Sequence, residues 1–412
     1  MLKRRYWKVK ALIDEYPRAF WTLVIAVFID RLGGSILFPF FTLYLTRKFD
    51  VGMTTVGIIF GIFSITGIIG STIGGALSDR VGRKSLLIFG LLASALSSLW
   101  IGTVDELQVF FIGAIFVGFF SNIGGPAHQA MVADLLPEEQ RAEGYGIIRV
   151  TFNLAVVIGP AIGGFLAAQS YLSLFIADAV ASTIVAGIVF FKLPETRARI
   201  SGQEKEAMVA TFRGYGKVLR DNAFMLFWVA SLLTAMVYVQ MNSTLAVYLR
   251  DTHGVMEQGF GLILSVNALI VVLFQFPITR RVSKQPPFSV MARGALLYAV
   301  GFAMYGFVSE YGMFLVAMII ITIGEMYIAP VGQALVAKFA PEDMRGRYMA
   351  FFGFSWAIPF ATAPLLAGLV MDNLDPRLVW IFAGICGLLA TGMYWMMHVK
   401  KEREQEAHAS AA

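Results

Sequence analysis

The sequence predicts an all-α membrane protein with twelve transmembrane helices, arranged as two pseudo-symmetric six-helix bundles. Three observations predict this fold class. Of the 412 residues, 58% are hydrophobic and only 15% are charged, whereas a soluble globular chain has roughly 25% charged residues. Twelve apolar segments have the length needed to cross a bilayer, which is roughly 20 residues. One stretch of the chain also occurs twice, about half the chain length apart.

The twelve apolar segments, named span 1 to span 12 in chain order, are residues 19–45, 54–77, 85–103, 107–133, 143–168, 170–192, 223–249, 259–278, 290–309, 313–338, 347–371 and 377–398. Short polar connectors separate them, except for a longer and more charged segment after span 6. We therefore expect a first bundle over 1–192, a cytoplasmic linker over 193–222, a second bundle over 223–398 and a solvated, disordered cytoplasmic tail over 399–412. Span 1 is too long for the apolar core of a signal peptide, so we expect it to be retained.

The positions of Lys and Arg predict the orientation, because cytoplasmic connectors carry an excess of them. Connectors on the side of the two termini hold 27 of the 33 Lys and Arg residues, and connectors on the other side hold four. We therefore expect a multi-pass protein of the cell membrane with both termini in the cytoplasm. The net charge of +6 then reflects membrane topology, and no nucleic-acid partner is expected.

An internal repeat relates the two bundles. Residues 126–141 read PAHQAMVADLLPEEQR, and eight of these positions are identical in residues 330–345, PVGQALVAKFAPEDMR, at an offset of 204. The same offset aligns further pairs: Tyr44 with Tyr248, Gly57 with Gly261, Pro160 with Pro364 and Gly164 with Gly368. Six spans per repeat is an even number, so both halves enter the membrane from the same side. Transporters built from two such halves bind substrate near the midplane, between the halves. We also expect Arg141 and Arg345 to contact neighbouring helix ends or acidic groups.

The connector after span 2 combines glycines and charges at close spacing. Residues 75–87 read GALSDRVGRKSLL. Gly82 permits a tight turn, and Asp79 can stabilise the partly positive N-terminus of a nearby helix. The segment resembles the signature loop of the major facilitator superfamily, Gly-x-Leu-x-Asp-Arg-x-Gly-Arg-Lys, at Gly75, Leu77, Asp79, Arg80, Gly82, Arg83 and Lys84. The resemblance implies the major facilitator fold and a cytoplasmic latch between its halves. Ser283 replaces the acid in the second half, so we expect an asymmetric latch.

Two further segments resemble the drug:proton antiporters of that superfamily. Span 5 carries AVVIGPAIGG, similar to their helix 5 motif, with matches at Gly159, Pro160, Gly163 and Gly164. Span 1 carries Asp30, Gly33 and Pro39 at the spacing Asp-x-x-Gly-x(5)-Pro, which is similar to theirs. Span 4 departs from the pattern, because Ala114 occupies the place of their usual proton-relay arginine.

Ionisable residues inside the spans are candidate functional groups, because a charge at the bilayer centre costs roughly 2.5–3.5 kcal/mol. Glu325 in span 10 and Asp30 in span 1 lie near the midplane. We predict that they are the proton-coupling acids. The alternative for Glu325 is a fixed ion pair with Arg149 or Arg31. The alternative for Asp30 is a pair with Arg149 that joins spans 1 and 5.

Polar and aromatic side chains on several spans are candidate contacts in a substrate cavity: Arg31, Phe38, Asn122, Arg149, Thr234, Tyr238 and Asn242. Thr234, Tyr238 and Asn242 recur every four residues, so they share one face of span 7. The alternative for these three is a contact between helices. Arg31 either neutralises Asp30 or attracts an anionic substrate.

These features predict a secondary active transporter that exports hydrophobic or cationic small molecules in exchange for protons, in multidrug-type antiport by alternating access. The alternative is proton-coupled uptake of a peptide-like or anionic metabolite. Because the sequence shows no nucleophile–base pair, no metal-ligand spacing and no phosphate-binding loop, we expect neither an enzyme nor an ATP-driven pump. The expected partners are the small-molecule substrate, protons and the lipid bilayer, for a monomer without cofactor or metal.

Overall fold

The structure is a computed structural model that describes residues 15–196, 216–341 and 344–411. All regular structure in these ranges is helical. Twelve helices within them are long and apolar enough to cross a membrane: Arg18–Phe49, Met53–Ser78, Arg83–Thr103, Leu107–Leu135, Glu143–Gln169, Tyr171–Lys192, Asn222–Ser243, Glu257–Val282, Pro287–Met304, Tyr311–Phe339, Arg347–Asn373 and Leu378–Ala407. The twelve predicted spans and the all-α fold class are confirmed. Most of the predicted linker lies outside the described residues.

Three spans are interrupted rather than continuous. Their segments are Arg18–Leu37, a 3-10 turn Phe38–Phe40 and Phe41–Phe49 in span 1, Leu107–Ser121 and Gly125–Leu135 in span 4, and Asn222–Ser243 followed by Leu245–His253 in span 7. The break in span 1 contains Pro39, which has no backbone N–H for the helical ladder. The break in span 4 lies at Asn122 and precedes Pro126, which starts the new segment within its first turn.

The described residues pack into two compact units. Residues 15–44 and 62–196 form the first unit, and residues 45–61, 216–341 and 344–411 form the second. The start of span 2 therefore belongs to the second unit, although span 2 lies in the first half of the chain.

The two units repeat the same packing. In the first unit, span 1 packs on spans 5 and 6, and span 3 packs on spans 4 and 6. In the second unit, span 7 packs on spans 11 and 12, and span 9 packs on spans 10 and 12. A buried hydrogen bond repeats as well: Tyr44 donates to the Ile101 carbonyl at 2.6 Å, and Tyr248 donates to the Tyr305 carbonyl at 2.8 Å. Both donor and acceptor are offset by 204 residues, so the sequence repeat is also a structural repeat.

The glycine motif of span 5 forms the close contact with span 1. A Cβ atom at Gly159 would lie 2.4 Å from Ser35, and one at Gly163 would lie 2.4 Å from the Ile36 carbonyl oxygen. Small residues let two membrane helices approach in this way. These two glycines therefore set the spacing between spans 1 and 5.

The end of the chain is helical, so the predicted disorder of the tail is wrong. The last helix runs without a break over Leu378–Ala411, and residues 400–407 are exposed. The segment KKEREQEAHA contains mainly strong helix formers and neither Gly nor Pro. The helix of span 12 therefore continues past the apolar residues.

Candidate functional site

A polar cluster surrounds Glu325 inside the second unit. The Tyr238 hydroxyl on span 7 donates to Glu325 Oε1 at 3.0 Å, and the Asn267 side-chain amide on span 8 donates to Oε2 at 3.0 Å. Glu325 itself is half-buried on span 10. Uncharged donors therefore engage both carboxylate oxygens. Such hydrogen bonds stabilise a carboxylate more strongly than a neutral carboxyl group.

Asn267 is held in place by span 10. Its amide donates to Thr322 Oγ1 at 2.9 Å, and the Thr322 hydroxyl donates to the Met318 carbonyl at 2.7 Å. Thr322 and Glu325 are three residues apart and lie on the same helix face. Gly324 lies against span 9 instead, because a Cβ there would be 2.8 Å from a backbone oxygen of that span. The local sequence thus directs Glu325 towards spans 7 and 8.

Aromatic rings border this cluster. The Tyr238 ring stacks on Tyr298 with centroids 5.8 Å apart and an interplanar angle of 23°. It meets Trp356 of span 11 nearly edge-on, at 5.7 Å and 79°. Trp356 is 44% exposed. Aromatic faces beside a carboxylate are suited to attract organic cations.

The first unit holds the second predicted acid. Asp30 Oδ2 lies 4.0 Å from Arg31 Nε, and the Arg31 guanidinium lies 5.1 Å from the ring centroid of Phe152 on span 5. A further acid in this unit, Asp178 of span 6, accepts a hydrogen bond from Ser98 at 2.7 Å. The Asp30 carboxylate therefore lies at the outer limit of ion-pair distance from its chain neighbour Arg31, whose guanidinium also contacts an aromatic ring.

The other predicted cavity residues differ in their surroundings. Thr234 is 5% exposed, and its hydroxyl donates to the Ala230 carbonyl of the same helix at 2.7 Å. Phe38 and Asn242 are half-buried, and Asn122 and Arg149 are exposed. Of the three residues on the polar face of span 7, the structure joins Tyr238 to Glu325 and places Thr234 in the core of the unit.

The signature loop is ordered by contacts inside the first unit. Gly82 has a φ of 107°, a conformation that strongly favours glycine. The Glu195 carboxylate accepts hydrogen bonds from the backbone N–H groups of Arg83 at 2.7 Å and Lys84 at 3.1 Å. Arg83 forms an ion pair with Asp134. A carboxylate from the end of span 6 thus caps the start of span 3 at the turn made by Gly82.

The other residues of the signature motif differ in their exposure. Gly75 is half-buried and Arg80 is exposed, and the Asp79 side chain lies outside the described part of the chain. Arg141 donates from Nε to two carbonyls at the end of span 4, at 3.0 and 3.3 Å. The predicted contact of Arg141 with a helix end is confirmed.

Four residues that contact the candidate site or the signature loop are not among those predicted from the sequence: Asn267, Tyr298, Trp356 and Glu195. The signal for Asn267 was its amide within the apolar run SVNALIVV. The aromatic residues gave no signal, because membrane helices of this chain contain many aromatic side chains. Within the described ranges, no group of three His, Cys, Asp or Glu residues is placed to hold a metal ion.

Comparison with known proteins agrees with this architecture. The sequence profile of the Major Facilitator Superfamily matches residues 23–284 and 251–412. A Na(+), Li(+), K(+)/H(+) antiporter of Planococcus maritimus is 29% identical, over 95% of this chain and 98% of its own. The multidrug resistance protein MdtH of Yersinia pestis is 23% identical, over 90% of this chain and 92% of its own. A POT family transporter in complex with 5-aminolevulinic acid shares the fold, with a TM-score of 0.76, 17% identity and coverage of 93% and 96%.

Proposed function

The chain belongs to the Major Facilitator Superfamily, and on that premise we propose that it exports hydrophobic or cationic small molecules in exchange for protons. Its relatives are transporters rather than enzymes. The observation that carries the proposal is the half-buried Glu325 carboxylate, whose two oxygens accept hydrogen bonds from Tyr238 and Asn267. An acid at this depth with uncharged partners is able to change its protonation state without breaking an ion pair.

In the proposed cycle, Glu325 takes up a proton from the side opposite the cytoplasm as the substrate leaves. The proton is released on the cytoplasmic side, and the ionised carboxylate then accepts the next substrate. One proton that crosses a potential of about 100 mV contributes about 2.3 kcal/mol. Since about 1.4 kcal/mol corresponds to a factor of ten, this supports a gradient of tens-fold for an uncharged substrate. One-for-one exchange with a monovalent cation moves no net charge and is driven by the pH difference instead. Asp30 is proposed as a second coupling acid, in the first unit.

The surroundings of the acid favour a cationic substrate. The Tyr238 hydroxyl contacts the Glu325 carboxylate, and the Tyr238 ring in turn contacts Tyr298 and Trp356. A lipophilic cation gains both an aromatic face and a counter-charge there. A peptide-like substrate, the alternative from the sequence, is supported only by the fold shared with POT family transporters.

A second candidate is the exchange of a monovalent metal cation for protons. It is favoured by the Planococcus maritimus antiporter, whose name specifies Na(+), Li(+) and K(+) and whose sequence aligns over nearly the whole chain. In this case the ionised Glu325 would bind the metal cation in place of an organic one.

Reconstituted proteoliposomes with an imposed pH gradient test both candidates. A fluorescent lipophilic cation or NaCl is added, and dye movement and internal pH are recorded. We expect wild-type protein to couple dye movement to proton flux and the Glu325→Gln variant to lose this coupling. Glu310→Gln, an exposed acid at the start of the same span, is the matched control and is expected to behave like the wild type.

The results separate the candidates. A proton flux that responds to the dye and not to Na⁺ supports the multidrug-type exporter. A response to Na⁺ alone supports the metal-cation exchanger. Unchanged coupling in Glu325→Gln would remove Glu325 from the mechanism.

A further inference from the structure

We propose that Asn267 is a positioning residue that fixes the oxygen of Glu325 on which the proton binds. By always donating to Oε2, Asn267 directs the proton to Oε1, next to the Tyr238 hydroxyl. This inference rests on the proposed proton coupling by Glu325 and adds the atomic site of protonation.

The hydrogen bonds around Asn267 determine the orientation of its side-chain amide. Nitrogen and oxygen of a side-chain amide are assigned from the hydrogen bonds around them. Thr322 has a single hydroxyl proton, and it is donated to the Met318 carbonyl at 2.7 Å. Thr322 Oγ1 is therefore only an acceptor towards Asn267, at 2.9 Å. The amide must present its NH₂ group to Thr322.

Glu325 Oε2 faces the Asn267 amide. The same Asn267 nitrogen lies 3.0 Å from Oε2, so its second hydrogen points at this oxygen. A proton on Oε2 would have to turn away from that N–H, and the protonated oxygen is a weaker acceptor for it than a carbonyl oxygen. Rotation of the amide would free Oε2 but would lose the hydrogen bond to Thr322. Because Asn267 is 6% exposed and Thr322 is 0% exposed, water does not replace the lost partner, and an unsatisfied buried group is costly. Oε2 therefore remains an acceptor in both protonation states.

Glu325 Oε1 faces the Tyr238 hydroxyl. Its partner, the Tyr238 hydroxyl at 3.0 Å, has one hydrogen to donate and lone pairs to accept. The Tyr238 ring contacts Tyr298 and Trp356, and rotation about its C–O bond moves only the hydroxyl hydrogen. The hydroxyl donates to the ionised carboxylate and accepts from the protonated one. Tyr238 keeps its own proton throughout, and the proton that binds to Oε1 comes from solvent.

The titratable side chains that face Glu325 in the described part of the second unit are Tyr238 on span 7 and Tyr298 on span 9. Both are phenols, which are uncharged near neutral pH. Asn267 on span 8 and Trp356 on span 11 do not titrate. A change in the pH dependence of coupling therefore reports on Glu325 and its donors.

The test is the pH profile of proton-coupled dye movement in proteoliposomes, recorded for Asn267→Ala, Thr322→Val, the double variant and Thr322→Ser. Loss of one donor to a charged acceptor changes proton affinity by about tenfold, or about one pH unit. We expect Asn267→Ala to move the midpoint to higher pH by about this amount. Thr322→Val should move it in the same direction, since it releases the amide, and Thr322→Ser should restore the wild-type profile because it keeps the hydroxyl.

Non-additivity distinguishes positioning from a general loss of structure. If Thr322 acts through Asn267, the double variant has the midpoint of Asn267→Ala alone. Additive shifts, or a wild-type midpoint in Asn267→Ala, would overturn the inference. Thr322→Val replaces the threonine hydroxyl by a methyl group, whereas Thr322→Ser keeps the hydroxyl and removes the methyl group. These two variants therefore separate loss of the hydroxyl from loss of packing, even when Asn267→Ala does not fold. Retained coupling in Glu325→Gln would instead overturn the proposed function, so the two failures are distinct.

Discussion

The carboxylate of Asp372 caps the first turn of span 2, and its removal gives a local prediction. Asp372, near the end of span 11, accepts hydrogen bonds from the backbone N–H groups of Met53 at 2.9 Å and Thr54 at 2.8 Å. These residues begin the helix of span 2 and lie in the second unit with Asp372. The spacing is tight, because a Cβ at Gly368 would lie 2.4 Å from the Met53 backbone. We predict that Asp372→Ala loosens this turn and leaves the rest of the unit folded.

The expected size follows from the two contacts. Loss of a capping side chain costs about 1 kcal/mol, and loss of a negative charge at a helix N-terminus costs about 0.3–1 kcal/mol. Together they amount to about 1.5 kcal/mol. Since about 1.4 kcal/mol corresponds to a factor of ten, local opening of this turn should become about tenfold more frequent.

Hydrogen exchange of the purified protein, read by mass spectrometry on peptides that cover residues 53–60, measures this opening. Asp375→Ala is the matched control. It removes the same charge three residues further along the chain, in the connector after span 11, where Asp375 accepts a local hydrogen bond from the Arg377 backbone at 2.9 Å. We expect about tenfold faster exchange in Asp372→Ala and wild-type exchange in Asp375→Ala. Equal exchange in the two variants would refute the capping role.

Three further changes have defined outcomes. Gly163→Val should lower the melting temperature, because overpacking of this kind costs about 1–3 kcal/mol. Gly187→Val should not lower it, because Gly187 has open space around it, and equal effects of the two variants would contradict the close contact of spans 1 and 5. Gly82→Ala should also lower the melting temperature, since an alanine at a φ of 107° is strained and its Cβ would lie 2.6 Å from the Glu195 carboxylate; an unchanged melting temperature would argue against this turn. Burial, together with a nearby arginine, lowers the pKa of His253. Its neutral form therefore contributes stability that is present above the unfolded value of about 6.5 and is lost as the pH falls through it. Thermal unfolding at about pH 7.5 and 5.5 should show a smaller acid-induced loss in His253→Asn than in the wild type, and an equal loss would contradict the assignment.

The spans and the repeat were predictable from the sequence because they depend on local composition. A run of roughly 20 apolar residues is sufficient to mark a crossing of the bilayer. The 204-residue offset was visible in the letters, and the paired Tyr44 and Tyr248 hydrogen bonds show that it extends to individual contacts. The charged, polar composition of the tail predicts disorder, but the structure is helical up to Ala411 because most of these residues are strong helix formers.

The candidate site was predictable only in part. Glu325 was visible because an acid in an apolar span is rare and expensive. Tyr238 was proposed from the helical spacing of span 7, and the structure joins it to that acid. Thr234 shares the same spacing but lies in the core of the unit. The helical spacing predicts which residues share a face of span 7, but it does not predict which of them contact a neighbouring helix.

Twelve membrane crossings, two repeated halves and an acid deep in span 10 were all predictable from the amino-acid sequence alone. These properties follow from the number of apolar residues and their order. The side chains that contact that acid follow from how the helices pack, which the order of residues does not show. Tyr238, Asn267 and Glu325 come from three spans and are separated by up to 87 residues, and the angle and rotation of each helix, set by packing, bring their polar atoms within hydrogen-bond distance.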